Sequence, residues 1–140
     1  MSAAGSAAGR YHRGLLSIMS ANGTPSSPVL DVEATLTRLG GDRDLFAELA
    51  GFLLNDLPPL FRDLRSAVAA GDATKVRQHA HALKGLAAGC GGIRATHIAQ
   101  AVENAGQTGD ISQAASLIEP LDTELELLTR ALRDYRSSPA

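Results

Sequence analysis

Cysteine is nearly absent: Cys90 is the single thiol in 140 residues, so no internal disulfide can form. Its position on an apolar helical stripe reads as a small buried hydrophobe in a reducing compartment. No run of about 18 apolar residues occurs, which excludes a membrane-spanning helix. No window alternates apolar and polar residues as a strand does over a useful length, so an all-β or α/β fold is not expected. The chain has no Walker loop or other glycine-rich nucleotide loop, no Gly-x-Ser-x-Gly elbow, and no His-x-x-x-His or Cys-x-x-Cys pair. ATP binding, serine hydrolase chemistry and chelation of a metal through adjacent helical turns all lose their usual signatures. Acidic side chains are also missing from a long internal stretch, with none between Asp72 and Glu103.

What fills that stretch is Lys75, Arg77, Lys84 and Arg94, together with His79, His81 and His97. The net charge of −2 therefore conceals a local basic face. Such a face on a mildly acidic protein fits an anionic partner site better than general nucleic-acid binding, which usually requires a broader basic excess.

On a helix turning by about 100° per residue, Val76, Ala80, Leu83, Ala87 and Cys90 fall within about 80° of one another, the spacing of a buried stripe. His81 lies about 140° from the centre of that stripe and points at water. Arg77, Lys84, Gly85 and Ala88 share its outer face, so the ring has cations beside it and little side-chain bulk above it. Glycine is costly there, by about 1 kcal/mol relative to alanine in a helix interior. Gly85 one turn from the ring would let another molecule approach closely.

The rest of the chain supplies a frame for this helix. Residues 1–28 are rich in Ala, Ser and Gly, lack acids and show no sustained periodicity, so they read as a disordered tail. Arg10 and Arg13 ahead of Gly14-Leu15-Leu16-Ser17-Ile18-Met19 resemble a targeting peptide, but the apolar run is short for a secretory core, and an inert extension is the preferred reading. Met19 is an alternative start. Asp31 caps a short helix, Val32 to Leu39, closed by Gly40-Gly41. Asp42 or Asp44 begins a second, with Leu45, Leu49, Phe52 and Leu53 as its expected apolar face. After Pro58-Pro59 the pattern resumes with Leu60, Leu64 and Ala67 or Val68, giving one kinked helix or two collinear pieces. The histidine helix runs from about Ala73 to Ala88, and Gly89, Gly91 and Gly92 connect it to a helix carrying Ala95, Ile98, Val102 and Ala105, with Gly106 as its expected end. Asp110 caps the last helix, where Ala114, Ile118, Leu121, Leu125, Leu128, Leu132 and Tyr135 keep a regular rhythm through Pro120, which should bend it. The expectation is an all-α fold, an antiparallel four-helix bundle with a short extra N-terminal helix, in one domain over residues 29–137.

Metal ligation is disfavoured further because His79 and His81 are about 200° apart on a helix. His12 lies in the tail and is given no role. With hydrolase and nucleotide chemistry unsupported, His81 is left as a nucleophile whose phosphoryl donor is another protein. Imidazole has an ordinary pKa of about 6.5, so an exposed ring is largely neutral near pH 7. A phosphoryl group on it would bring up to about two negative charges, which Lys84, with Arg77 as a second candidate, would balance.

Ala80-His81-Ala82-Leu83-Lys84-Gly85, followed by small residues and Gly91, resembles the signature of histidine-containing phosphotransfer (HPt) domains. The likeness extends to Leu39-Gly40-Gly41-Asp42, Ala70-Gly71-Asp72, Val102-Glu103 and Gly109-Asp110, about residues 29 to 135 in all. It implies that His81 takes a phosphoryl group from a receiver-domain aspartyl phosphate and passes it to the aspartate of another receiver. It also implies that Lys84 steadies the phosphoryl oxygens, Gly85 clears space for the receiver, and Glu103 hydrogen-bonds the ring and fixes its tautomer. On this resemblance the receiver is expected to supply the acidic pocket and Mg²⁺, and no cofactor, bound metal or kinase domain is expected of this chain.

Two positions depart from the family pattern. Leu86 stands where small polar residues often follow Lys-Gly, and Ala95 where a longer apolar residue is usual. Leu86 projects beside the core and should be tolerated. His79, near the edge of the core stripe, reads as a packing residue before a second phosphoacceptor. The rival reading of the whole chain is a helical adaptor that binds a receiver or kinase without being phosphorylated. A histidine-kinase fragment would need its ATP-binding region from another chain. The expected protein is a cytoplasmic monomer whose partners are receiver domains of response regulators or hybrid kinases, with no nucleic acid and no membrane.

Overall fold

A computed structural model describes residues 27–137, so most of the tail expected over 1–28, with His12 and Met19, lies outside the described residues. Five helices and no strand occur among the described residues: α1 (Val32–Arg38), α2 (Arg43–Ala69), α3 (Ala73–Gly89), α4 (Ile93–Thr108) and α5 (Ile111–Ser137).

Aspartates start four of these helices. Asp31 Oδ1 accepts from Ala34 N at 3.0 Å, Asp42 from Leu45 N at 2.9 Å, Asp72 from Lys75 N at 3.1 Å and Asp110 from Gln113 N at 3.0 Å. Each carboxylate satisfies an amide that the first helical turn leaves without a partner and sits at the positive end of the helix dipole. Gly40, Gly41, Gly71 and Gly109 carry positive φ at the ends of α1, α2 and α4, where the chain must leave the helix sharply.

Short turns between long helices reverse the chain three times. Helices α2 and α3, α3 and α4, α4 and α5, and α5 and α2 pack as neighbours, a closed square of four antiparallel staves. Inside it lie Phe46, Leu64, Leu83, Ile98, Leu121, Leu128 and Leu132, each almost wholly buried. Burial of one such side chain stabilises the fold by roughly 1.5–3 kcal/mol. Pro58 and Pro59 both face solvent inside α2, which continues through them as one helix.

The short α1 is fastened to the turn after the histidine helix. Asp31 N donates to Gly91 O at 2.8 Å, and Arg38 reaches Ala88 O at 3.4 Å. Gly91 has φ 87°, and a Cβ there would collide with Thr35 Oγ1 and with Asp31 O. Only glycine fits this junction, so α1 holds the C-terminal end of α3 in place.

Two expectations require correction. The buried stripe of α2 is Phe46, Ala50, Leu53, Leu57, Leu64 and Ala67. Of the expected Leu45, Leu49, Phe52 and Leu53, only Leu53 is fully buried, while Leu45 is 37% and Phe52 60% exposed. Phe46 takes the interior position because its ring stacks on Tyr135 of α5, with centroids 4.6 Å apart. Gly106 does not end α4, which continues to Thr108 and closes on Gly109 with φ 79°. It is buried inside the helix because α3 passes directly over it: a Cβ would lie 2.7 Å from Arg77 N and 3.1 Å from Ala73 O.

Candidate functional site

Leu83 and Ala80 anchor the inner face of α3, both wholly buried. That fixes the rotation of the helix and turns His81 outward, with its side chain 65% exposed. Across from it, the buried residues Ala99 and Val102 seat α4, and Glu103 emerges at the edge of the contact.

Three side chains from the two helices meet there. His81 Nδ1 lies 2.9 Å from Glu103 Oε2, and Lys84 Nζ lies 2.8 Å from Glu103 Oε1. The His81 contact is a hydrogen bond; around Oε1 no in-line donor is found, and Lys84 is held there chiefly by charge. Because an ionised carboxylate can only accept, the proton of the neutral ring belongs on Nδ1 and the lone pair on Nε2. Burial alone would raise the Glu103 carboxyl, but the Lys84 ammonium and the His81 N–H outweigh it and hold the group below its usual value. Glu103 is therefore an anion at neutral pH, as a fixed ring tautomer requires.

Gly85 leaves the space beside the ring open, with no atom within 4 Å of where a Cβ would stand. Lys84 is half-buried and makes its side-chain hydrogen bond to another residue, Nζ donating to Gln100 Oε1 at 3.0 Å. Gln100 in turn donates from Nε2 to Asn104 Oδ1 at 2.9 Å. These two residues of α4 escaped sequence reasoning. The signal was there in His97, Gln100, Glu103 and Asn104, polar side chains at steps of three, three and one, which share one side of the helix.

The structure brings together His81, Lys84, Gly85 and Glu103, but not Arg77. Arg77 is half-buried, its guanidinium makes no hydrogen bond or ion pair among the described residues, and its backbone packs against Gly106. Arg94 also leaves the supposed basic face. Its guanidinium pairs with the buried Glu124 of α5 at 2.8 Å, which ties α4 to α5 away from the histidine. His79 is half-buried on the α2 side of α3, in a shallow groove with Asp63, Asp72 and Lys75. His97 is half-buried in a second groove, with Asp31, Arg38 and Gln100.

Leu86 packs against the core and Ala95 is 2% exposed, so both departures from the family pattern are accommodated. Cys90 is 2% exposed, and burial pushes its thiol up to about 11, the opposite of a reactive cysteine. Among the described residues no group of His, Cys, Asp or Glu could hold a metal ion, and no helix is long and apolar enough to cross a membrane.

Comparison with known proteins agrees with this arrangement. The fold resembles that of histidine-containing phosphotransfer protein B (HptB) from Pseudomonas aeruginosa PAO1, with a TM-score of 0.74 and 24% identity over 82% of this chain and 100% of that one. No curated protein sequence matches. The family model of the Hpt domain matches residues 48–134, more than half of the chain and the whole of the His81 site. An exposed histidine tethered to a neighbouring carboxylate, a lysine one turn on, an open glycine and this sequence match converge: the chain belongs to the Hpt domain family.

Proposed function

We propose that His81 is the phosphoacceptor, taking a phosphoryl group from the aspartyl phosphate of one receiver domain and passing it to the aspartate of another. The observation that carries this reading is the 2.9 Å bond from His81 Nδ1 to Glu103, which leaves Nε2 unprotonated on a solvent-facing ring.

In the accepting step the Nε2 lone pair forms the N–P bond as the bond from phosphorus to the aspartyl oxygen breaks. The aspartate leaves as a carboxylate, so no proton needs to move. The ring becomes cationic, and the negative Glu103 beside Nδ1–H stabilises that charge. The reverse step, toward a second receiver, runs through the same geometry. Phosphoryl transfer depends mainly on positioning and charge neutralisation, so a surface this sparse suffices when the receiver supplies the acidic pocket and Mg²⁺. Lys84 steadies the phosphoryl oxygens, and the open side at Gly85 admits the receiver.

Hpt proteins are phosphotransfer carriers rather than kinases, and in this reading the chain is a relay intermediate with no cofactor of its own. It works in the cytoplasm as a monomer, partnered by receivers of response regulators or hybrid kinases. The test is incubation with phosphorylated receivers. Wild-type protein gains an acid-labile label and His81→Gln gains none. An unlabelled wild type that still bound the receivers would overturn the proposal in favour of an adaptor.

A further inference from the structure

Lys84 is not free to follow a phosphate wherever it appears. Its ammonium is shared between Glu103 Oε1 at 2.8 Å and Gln100 Oε1 at 3.0 Å, and its stem is half-buried. The amide of Gln100 is oriented in its turn: Nε2 donates to Asn104 Oδ1 at 2.9 Å, which aims the carbonyl oxygen, the only acceptor of that side chain, at Lys84. Gln100 lies one turn before the adjacent Glu103 and Asn104, so α4 presents two oxygens to one cation, one charged and one neutral.

The pair of acceptors has a mechanical consequence. With Glu103 alone, an ammonium drawn toward a phosphoryl group would give up its only anchor. Gln100 supplies a second that is weaker than either anion, so Lys84 can exchange Glu103 for phosphoryl oxygens while remaining tethered. From this geometry we infer that Gln100, locked by Asn104, is a positioning residue that acts through Lys84 and sets how well the cation meets the phosphoryl group on His81. The inference rests on His81 being the phosphoacceptor.

Two measurements test it. In the unphosphorylated protein, the ¹⁵N-labelled side-chain ammonium of Lys84 gives a cross-peak only while hydrogen bonds slow its exchange. The peak is expected to be sharp in wild type, to broaden through faster exchange in Gln100→Ala, where only Glu103 holds the ammonium, and to sharpen again in Gln100→Glu, which retains an acceptor. An exchange rate in Gln100→Ala equal to that of wild type would overturn the inference. The second measurement is the rate of His81 phosphorylation by phosphoramidate, whose P–N bond breaks to release ammonia as the bond to Nε2 forms. Gln100→Ala slows this by about fivefold, the rate equivalent of one ordinary hydrogen bond. Because Gln100 acts through Lys84, the double variant with Lys84→Ala is no slower than Lys84→Ala alone. Additive losses, or an unchanged rate in Gln100→Ala, would mean that Gln100 does not work through the lysine. Equal labelling of wild type and His81→Gln would instead sink the phosphoacceptor reading, while the ammonium signal would still judge whether Gln100 holds Lys84.

Discussion

Gly85 and Gly106 are both glycines in the interior of a helix, and both pay the same conformational penalty. Around Gly106 the backbone of α3 presses in so closely that a methyl group would lie 3.0 Å from Arg77 Cα. Around Gly85 there is nothing within 4 Å. The first is required by the fold and the second by nothing in the fold. A helix-breaking residue that its own molecule does not need points to a requirement outside the molecule, here the approach of a partner to His81.

The largest effect should come from the crowded side. Gly106→Ala must displace backbone atoms of α3, and we expect a loss of about 2–3 kcal/mol, seen in thermal unfolding as a fall in Tm of roughly 10 °C. An unchanged Tm would remove the contrast between the two glycines. Charge offers a second way to probe the open side. Glu103→Gln should cost roughly 1 kcal/mol at pH 7, a modest figure because the His81 end of the pair faces water. Since the folded protein holds the Glu103 carboxyl below its unfolded value, this advantage is present above about pH 4.3 and is lost as the pH falls through the lower folded value. Urea unfolding of both proteins from pH 7 down to pH 3 measures it, and a gap that widened toward acid would contradict the assignment. The smallest stability change belongs to Gly85→Ala, a gain of up to about 1 kcal/mol from helix propensity. The same variant should slow phosphotransfer from a receiver, while phosphorylation by phosphoramidate stays close to wild type.

That stability and transfer should part company at Gly85 was legible in the sequence, because the glycine stands on the outward face defined by the Val76 to Cys90 stripe. Gly106 was misread for a physical reason. A glycine near the end of an amphipathic pattern signals either a helix stop or a close crossing, and only the position of α3 decides between them. The long stripe of α5 was readable because polar residues, first uncharged and from Glu119 onward mostly charged, flank it. On α2, Leu45, Leu49, Phe52 and Leu60 put apolar residues on more than one face, and the stack of Phe46 on Tyr135, remote in sequence, decided which face turned inward. At the site, His81, Lys84 and Glu103 could be placed from spacing and resemblance. The tether from Gln100 to Lys84 depends on the rotation of α4 against α3, which one helix pattern does not contain.

The paired prolines of α2 carry a consequence for its dynamics. Pro58 and Pro59 have no amide hydrogen, so the carbonyls of Leu54 and Asn55 lose their ladder partners and must turn to solvent. Hydrogen–deuterium exchange should therefore divide this long rod into two protection blocks meeting at that seam. The block that leads into the histidine helix would then breathe on a different clock from the one that follows α1.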